Sequence, residues 1–491
     1  MGSTSVLSYV LQLFQPIHLF YCFLGSVLGT IVGILPGLGP SATMAMLLPF
    51  TSYIPPVDML IMMAAIYYGA NYGGTITSVL MNVPGEPSTA VTCIDGFQMT
   101  KQGRAAEALA IAAIGSFLAG TLSIVPLQIF APALAKFALV FGPAEYTGLL
   151  FMSVFAFASF SSTSTLRGLL IGLVGMGLAT IGTDPMTGIY RFGIGPLVGG
   201  LNLIPVMIGL FGVGEVLSSA AEGVEKIYEG KLGPFFSSRS EFFKGIKASV
   251  RGGAVGFIFG LLPGMVPAVT SFLAYDVERR FSKYPERFGT GIIEGVAAPE
   301  AANNATAMAG FIPLLSLGIP TSPTLAILLA SLMIYGLQPG PMLFNNHPEV
   351  AWPVIISMYI ANVMLLVLNL PIVGLWARMT KVPYGILAPI ILTICVVGAY
   401  TTNNMMWDVW VCLFFGLIGY GMRKCGLAPA PLILGLILGP MFEGSMRQAL
   451  GMSGGSFWIF FTKPVSAAFI LAGILLSLIP VLTRRRQPKP A

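Results

Sequence analysis

Apolar residues run along this chain in blocks long enough to be helices, and polar positions collect in short stretches between them. The blocks fall near 5–28, 59–82, 108–132, 146–164, 168–182, 199–218, 324–337, 353–377, 383–400, 409–422, 428–442 and 465–482. A straight membrane span needs roughly 20 apolar residues, so the shorter blocks predict half-helices or ends drawn too tightly. Proline and glycine interrupt the pattern at Leu35-Pro36-Gly37-Leu38-Gly39-Pro40, Val83-Pro84-Gly85-Glu86-Pro87, Leu262-Pro263-Gly264-Met265-Val266-Pro267 and Ile319-Pro320-Thr321-Ser322-Pro323. The predicted fold is an all-α polytopic membrane protein of roughly 12 spans, with broken helices and two re-entrant hairpins.

Composition fixes the solvent. Only 9% of the 491 residues are charged and 55% are hydrophobic, with mean hydropathy +0.85. A soluble domain carries about 25% charged residues, so the surface of this chain is expected to face lipid. Glycine (59) and proline (36) are abundant, as in transporters that break helices inside the bundle. The five cysteines show no CxxC spacing and read as small buried hydrophobes. With only His18 and His347, a histidine metal site is not expected and no cofactor is predicted. No nucleic-acid partner is expected either, because the net charge of +6 comes from short loops between helices. The first apolar block lacks a basic lead and a small-residue cleavage site, so it is expected to remain as structure.

Charge then orders the loops. Lys and Arg concentrate in 219–251 (with Lys226, Arg239 and Lys247), in 275–291 (Arg279, Arg280, Lys283, Arg287) and in the tail (Arg484, Arg485, Arg486, Lys489). Smaller basic loops carry Lys101 and Arg104, Arg167, Arg378 and Lys381, and Arg423 and Lys424. Placing these in the cytoplasm gives an alternating path with 21 of 25 basic residues inside, leaving Lys136, Arg191, Arg447 and Lys463 outside. The C-terminus is predicted to be cytoplasmic.

The chain also repeats itself. Gly33-Ile34-Leu35-Pro36-Gly37 matches Gly260-Leu261-Leu262-Pro263-Gly264 at a shift of 227, and Val83-Pro84…Pro87 matches Ile319-Pro320…Pro323 at 236. Ile204-Pro205…Gly209-Leu210 matches Ala430-Pro431…Gly435-Leu436 at 226. The loop after the first element, 51–58, has no Lys or Arg, whereas its counterpart 275–291 has four. The loop after the second element carries Lys101 and Arg104, whereas its counterpart 338–352 has none. The bias reverses both times, which predicts two inverted-topology repeats, 1–235 and 236–491, within one transmembrane domain.

The breaks carry the candidate chemistry. A second half-helix starting at Pro40 or Ser41 exposes main-chain N–H groups that suit an anion, and Pro263 to Thr270 can do the same from the opposite side. Candidate substrate ligands are Gly37, Gly39, Ser41, Thr43, Gly264, Thr270, Thr321 and Ser322. Candidate ion ligands are Asn71, Gly74, Thr75, Asn82, Pro84, Gly85, Asn303, Asn304, Thr306 and Gly318, hard uncharged oxygens and unwound backbone suited to Na⁺. The plainer alternatives are a kinked helix at each break, and Asn and Thr that only bridge helices. Carboxylates at membrane depth are functional candidates by default; these are Glu86, Asp95, Glu294 and Glu300. We favour the cytoplasmic interface for Glu294 and Glu300, as helix caps or partners of Arg287. No break contains Lys or Arg, so an anion would be met by helix N-termini, hydroxyls and amides. The P-loop pattern GxxxxGK[ST] is absent, and no Ser/His or paired-Asp arrangement suggests an enzyme.

At these segments the sequence resembles the large membrane subunit of the tripartite tricarboxylate transporter family. The resemblance rests on GILPGLGPSATMAMLLPF (33–50), YGANYGGTITSVLMNVPGEPSTAVTCIDGFQMTKQGRAAEAL (68–109), GLLPGMVPAVTSFLAYDVERR (260–280) and PERFGTGIIEGVAAPEAANNATAMAGFIPLLSLGIPTSP (285–323). It implies a bacterial inner-membrane symporter driven by Na⁺ or H⁺, importing a tricarboxylate or dicarboxylate. It also implies a small four-helix membrane partner, a periplasmic substrate-binding protein and an elevator-type movement of the hairpins; a second copy of the chain is a further candidate partner. Val266 stands where Gly39 would suggest glycine, and Thr321-Ser322 stand opposite Gly85-Glu86, so the two half-sites are not chemically equivalent. The alternative readings are an anion channel and a membrane scaffold that anchors a periplasmic binding protein.

Overall fold

The computed structural model describes residues 6–35, 38–161, 164–184, 187–192, 195–222, 235–236, 238–372, 374–376 and 384–484. Pro36 and Gly37 lie outside the described residues, as do Lys226, Arg378, Lys381, Arg485, Arg486 and Lys489. Helices dominate: α1 (Val6–Leu13), α2 (Pro16–Ile34), α3 (Pro40–Leu47), α4 (Pro56–Met81), α5 (Thr92–Lys101), α6 (Ala105–Ala138), α7 (Pro143–Ser161) and α8 (Thr165–Leu178). After a two-residue antiparallel ladder, β1 (Gly182–Thr183) with β2 (Tyr190–Arg191), come α9 (Leu203–Met207), a buried π-helical segment Ile208–Val213 and α10 (Gly214–Glu222). The chain continues with α11 (Arg239–Gly260), α12 (Pro267–Phe281), α13 (Glu294–Ala309), α14 (Phe311–Leu317), α15 (Pro323–Ile334), α16 (Leu343–Asn346) and α17 (Pro348–Asn369). Helices Tyr384–Asn403, Met406–Lys424, Ala430–Met452 and Pro464–Arg484 follow.

Five described helices are long and apolar enough to cross a bilayer: Pro16–Ile34, Ala105–Ala138, Leu203–Ala220, Pro348–Asn369 and Gly385–Asn403. The apolar block at 5–28 is two helices, because Pro16 cannot continue α1 and instead opens α2. No apolar block announced α13, whose Glu, Asn and Thr dilute its hydropathy, or α14, which is only seven residues long; both nevertheless lie in the interior. α4 is buried on every side from Asp58 to Leu80, as a helix without a polar face should be.

Two helix pairs organise the centre. Lipid tails are as apolar as leucine, so helices in a membrane associate by close packing through small residues. In α2, a Cβ placed on Gly25, Gly29 or Gly33 would fall 2.4, 2.5 or 2.2 Å from the main-chain oxygens of Met62, Ile66 and Ala70 in α4. In α11, the same addition at Gly252 or Gly256 would fall 2.1 or 2.2 Å from the oxygens of Ala298 and Ala302 in α13. At Gly260 it would fall 2.8 Å from Thr306 Cα. Each glycine of the second stripe lies 227 residues after one of the first, and each contacted residue 236 after its counterpart. The partners advance together along both stripes, so α2 runs parallel to α4 and α11 runs parallel to α13.

Parallel helices separated by one shorter helix require the chain to come back between them. His18 near the start of α2 meets Asp58 near the start of α4, Nδ1 to Oδ1 at 2.5 Å. Between these two residues the chain goes in along α2 and returns along α3. In the second hairpin the arms themselves are tied, Arg251 Nε of α11 donating to Glu278 of α12 at 2.8 Å. α6 runs alongside α11, with residues 111, 115 and 119 meeting 245, 249 and 253. Against α4 it runs the other way. Asn362 ties Tyr72 to the carbonyl of Phe117, Glu300 ties Thr75 to Ser116, and Thr100, just before α6, bonds Val79.

Polar ends gather accordingly. Arg104 bonds Glu107 at 2.7 Å and approaches Glu241 at 3.8 Å, and Gln102 Nε2 donates to Thr290 O at 2.7 Å. Three segments assigned to one side by their charge therefore touch: 101–104, the start of α11 and 287–291. Away from them, Arg191 and Arg447, both assigned to the opposite side, share Glu443 at 2.7 and 3.2 Å. Arg447 also bonds Asp184 at 2.8 Å, so β1 and β2 are tied to the helix Ala430–Met452.

Candidate functional site

The helix breaks arise from local chemistry. Leu35 leaves α2 in an extended conformation, and α3 starts from the extended N-cap Gly39 with Pro40 in its first turn. Val266 caps α12 in the same way, at φ −72° and ψ 156° against −84° and 163° for Gly39. Any residue adopts that conformation, so valine replaces glycine there without backbone strain. Gly264 does require its identity, with φ +82° and a new Cβ only 2.7 Å from Phe157 Cα. Asn82 ends α4 at φ +58° and Gly318 ends α14 at φ +74°, two left-handed caps 236 residues apart. The chain then turns through Pro84 and Pro320 to new N-caps at Glu86 and Ser322, and Ser322 Oγ accepts from Leu325 N at 3.2 Å.

The tips meet crosswise between the halves. Ser41 Oγ, in the first turn of α3, lies 2.9 Å from Thr324 Oγ1 in the first turn of α15. The hydroxyl of Tyr67 in α4 lies 3.3 Å from Ser322 Oγ. Glu86 reaches the same place: a Cβ on Gly39 would be 3.3 Å from its Oε1, which has no hydrogen-bond partner. The N-termini of α3 and α15 thus meet at one cluster of hydroxyls and one carboxyl oxygen. α12 packs instead against the short helix Pro87–Thr89. Its Thr270 hydroxyl meets that of Thr306 at 2.7 Å, and Gly264 N donates to Thr321 O at 3.2 Å. Among the described contacts the N-terminus of α3 therefore meets that of α15, while α12 and the turn before it meet Thr306 and Thr321. Thr43 turns inward to its own helix, donating to Gly39 O at 3.3 Å.

A second polar cluster lies between α4, α5, α6 and α13. Glu300, fully buried, accepts from Thr75 Oγ1 at 2.7 Å, from Asn303 Nδ2 at 3.0 Å and from Thr92 Oγ1. Its main-chain oxygen takes Ser116 Oγ at 3.0 Å and Asn304 Nδ2 at 3.1 Å. Glu300 thus neither caps a helix nor pairs with a described Arg; two turns into α13, it faces helices from the other half. Glu294 does sit at the start of α13, but no described ion pair joins it to Arg287. Asp95 is engaged by the loop before α13. It accepts from the main-chain N–H of Gly289, Gly291 and Ile292 at 2.8–3.1 Å and from Tyr275, and so clamps the loop before α13.

The remaining candidate ion ligands divide between contacts inside this cluster and packing. Asn71 Oδ1 accepts from Ser88 at 2.9 Å, and the Gly74 carbonyl takes Ser78 and Thr89 at 2.9 and 3.2 Å. At Gly85 a Cβ would fall 2.1 Å from Gly33 O, so this glycine is demanded by packing of the tip on α2. No described Lys or Arg bonds any of these groups. Sequence reasoning missed Tyr67, Ser88, Thr92, Ser116 and Thr324 as ligands; Tyr67, Ser116 and Thr324 lie in apolar helices, where Ser and Thr usually bond back to their own turn, and Ser88 and Thr92 follow the second break in the short helix Pro87–Thr89 and at the start of α5.

A family model described as Tripartite tricarboxylate transporter TctA family matches residues 19–434. A protein of Agrobacterium vitis, described as an uncharacterized 52.8 kDa protein in the TAR-I ttuC' 3'region, is 42% identical over 478 residues, 96% of this chain and 95% of its own. A second from the same organism, an uncharacterized protein in the TAR-II ttuC' 3'region, is 42% identical over 235 residues, 47% of this chain and 97% of its own. No solved structure matches the chain.

Proposed function

The chain belongs to the tripartite tricarboxylate transporter TctA family, and on that premise we propose that it is the large membrane subunit of a binding-protein-dependent secondary transporter. It is a multi-pass membrane protein. In this reading it imports a tricarboxylate or dicarboxylate by Na⁺ or H⁺ symport across a bacterial inner membrane, with its C-terminus in the cytoplasm. Its partners are a small four-helix membrane subunit and a periplasmic protein that delivers the substrate.

The observation that carries the reading is the meeting of the N-termini of α3 and α15 through Ser41 and Thr324 at 2.9 Å. Two helix N-termini present main-chain N–H groups and the positive ends of two dipoles. Ser41, Ser322, Thr324 and Tyr67 add hydroxyls. A carboxylate seated there is held without a salt bridge, so it is released again without breaking one. The Asn71, Thr75, Asn303 and Glu300 cluster beneath α4 offers oxygens to the coupling cation.

Support for two inverted repeats comes from helix direction. α2 and α11 each run parallel to their own partner, yet α4 runs against α6, which runs with α11. Hairpins entering from opposite ends let one rigid movement close one entrance while opening the other, and an elevator-type shift of the hairpin-bearing helices is such a movement. The subunit, reconstituted with its partners in liposomes, is expected to accumulate a carboxylate only under an ion gradient. Uptake unchanged after both Na⁺ and H⁺ gradients are collapsed would favour a channel, and no uptake a scaffold.

A further inference from the structure

Glu300 bonds none of the described hydroxyls of the proposed carboxylate site, and its surroundings are chemically one-sided. Every described bond to its carboxyl group is donated to it, by Thr75, Thr92 and Asn303. That acceptor-only pattern is the one an ionised carboxylate takes. A buried charge without a countercharge is costly in a membrane, and no described Lys or Arg pairs with Glu300. The unpartnered buried atoms nearby are acceptors as well. Asn304 Oδ1 has no partner although its amide bonds Asn303 and the main chain of Glu300. Asn369 Oδ1 has none, and Asn369 lines a cavity with Tyr72, Thr75 and Ser116 that has room for about one water molecule. What the cluster lacks is a hydrogen-bond donor carrying positive charge.

The proposal deepens the symport reading and rests on it: we propose that Glu300 is the residue that takes up the coupling proton, through the water-sized cavity between α4 and α6. The proton comes from water at one face, forms an O–H bond at the Glu300 carboxyl group and returns to water at the other. No electron moves. The cluster accommodates both states. Thr75 Oγ1 is shared between Glu300 Oε2 at 2.7 Å and Asn71 O at 3.1 Å, so it settles on the carbonyl when the carboxyl becomes a donor. Thr92 and Thr75 belong to the first half and Glu300 to the second, so protonation alters bonds that join the halves.

Of the other buried carboxyl groups, Glu86, N-cap of the short helix Pro87–Thr89 that packs against α13, turns its unpartnered Oε1 to Gly39 at the start of α3, and the groups around Glu300 are engaged otherwise. Tyr72 of α4 and Cys93 of α5 face Glu300, and neither is acidic in this range. Glu107 of α6 and Arg251 of α11 are engaged by Arg104 and Glu278, the latter on α12, and Asp95 of α5 is held by main-chain N–H groups and by Tyr275 of α12. Glu294 stands six residues earlier on α13 itself.

The test uses the complete transporter in liposomes and compares proton-driven uptake with substrate counterflow, which needs no gradient. For Glu300→Gln the ratio of driven uptake to counterflow is expected to fall at least tenfold; an unchanged ratio overturns the proposal. Thr75→Val removes one donor that favours the charged form, so the alkaline limb of the uptake profile is expected to move up by about one pH unit. A profile that does not move overturns the proposal too, and this variant decides if Glu300→Gln fails to fold. Wild-type counterflow separates the two levels of the argument. If it is absent, the transporter reading itself fails; if it is present while both variants behave as wild type, only the assignment of Glu300 fails.

Discussion

Replacing one glycine in each stripe by alanine probes the packing that aligns the two halves. At Gly256 the added carbon would sit 2.2 Å from Ala302 O and 2.7 Å from its Cα; at Gly29 it would sit 2.5 Å from Ile66 O and 2.8 Å from its Cα. Close carbon–oxygen contacts settle near 3.3–3.6 Å, so each helix pair must part by roughly 1 Å. Overpacking of this kind costs about 1–3 kcal/mol, which for a chain of this size is a fall in melting temperature of roughly 1–3 °C. Gly177→Ala is the control, because nothing lies within 4 Å of its added carbon and it sits inside α8. Alanine is the better helix former, so that variant is expected to melt no lower than wild type. Thermal melts followed by size-exclusion chromatography in detergent read all three. Equal stability of Gly29→Ala, Gly256→Ala and Gly177→Ala would refute the close parallel pairing of α2 with α4 and α11 with α13.

Other consequences are as direct. Ser322→Ala removes the N-cap of α15 and the partner of Tyr67; it is expected to cost about 1 kcal/mol of stability and to raise the KM for carboxylate several-fold, whereas an unchanged KM would detach the α15 terminus from the substrate. Asp95→Asn replaces a carboxylate that holds three main-chain N–H groups, so the loop 287–292 is expected to be cut faster by protease, and equal cutting would contradict its clamping role. Glu443→Gln weakens the bonds to Arg191 and Arg447; these groups are partly exposed, so a loss of about 1 kcal/mol or less is expected, shrinking at high salt. Single cysteines at Tyr53 and Lys283 are expected to react with an impermeant maleimide from opposite faces of the membrane, and same-face labelling would refute the inverted arrangement.

Much of this was written in the apolar pattern. The blocks at 59–82, 108–132 and 146–164 are α4, α6 and α7, and the short block at 324–337 is the half-helix α15. The Pro/Gly breaks fell where helices end, because Pro40, Pro267 and Pro323 each open a helix and Gly318 holds a left-handed cap. The polar helix α13 was hidden for the opposite reason. Hydropathy averages its alanines with Glu300, Asn303 and Asn304, although burial of all three comes from the neighbours that satisfy them. The crossing of the tips was also invisible. Which N-terminus meets α3 depends on contacts 283 residues apart, such as Ser41 with Thr324, and no local propensity encodes them.

Access to Ser41 tests the central claim most directly. A lone cysteine there, Ser41→Cys in an otherwise cysteine-free protein, stands at the meeting point of α3 and α15. With impermeant reagents added to one face at a time, it is expected to react from each face under opposite ion gradients, and the transported carboxylate is expected to protect it on both. Labelling from one face only, whatever the gradient, would contradict alternating access at this pocket.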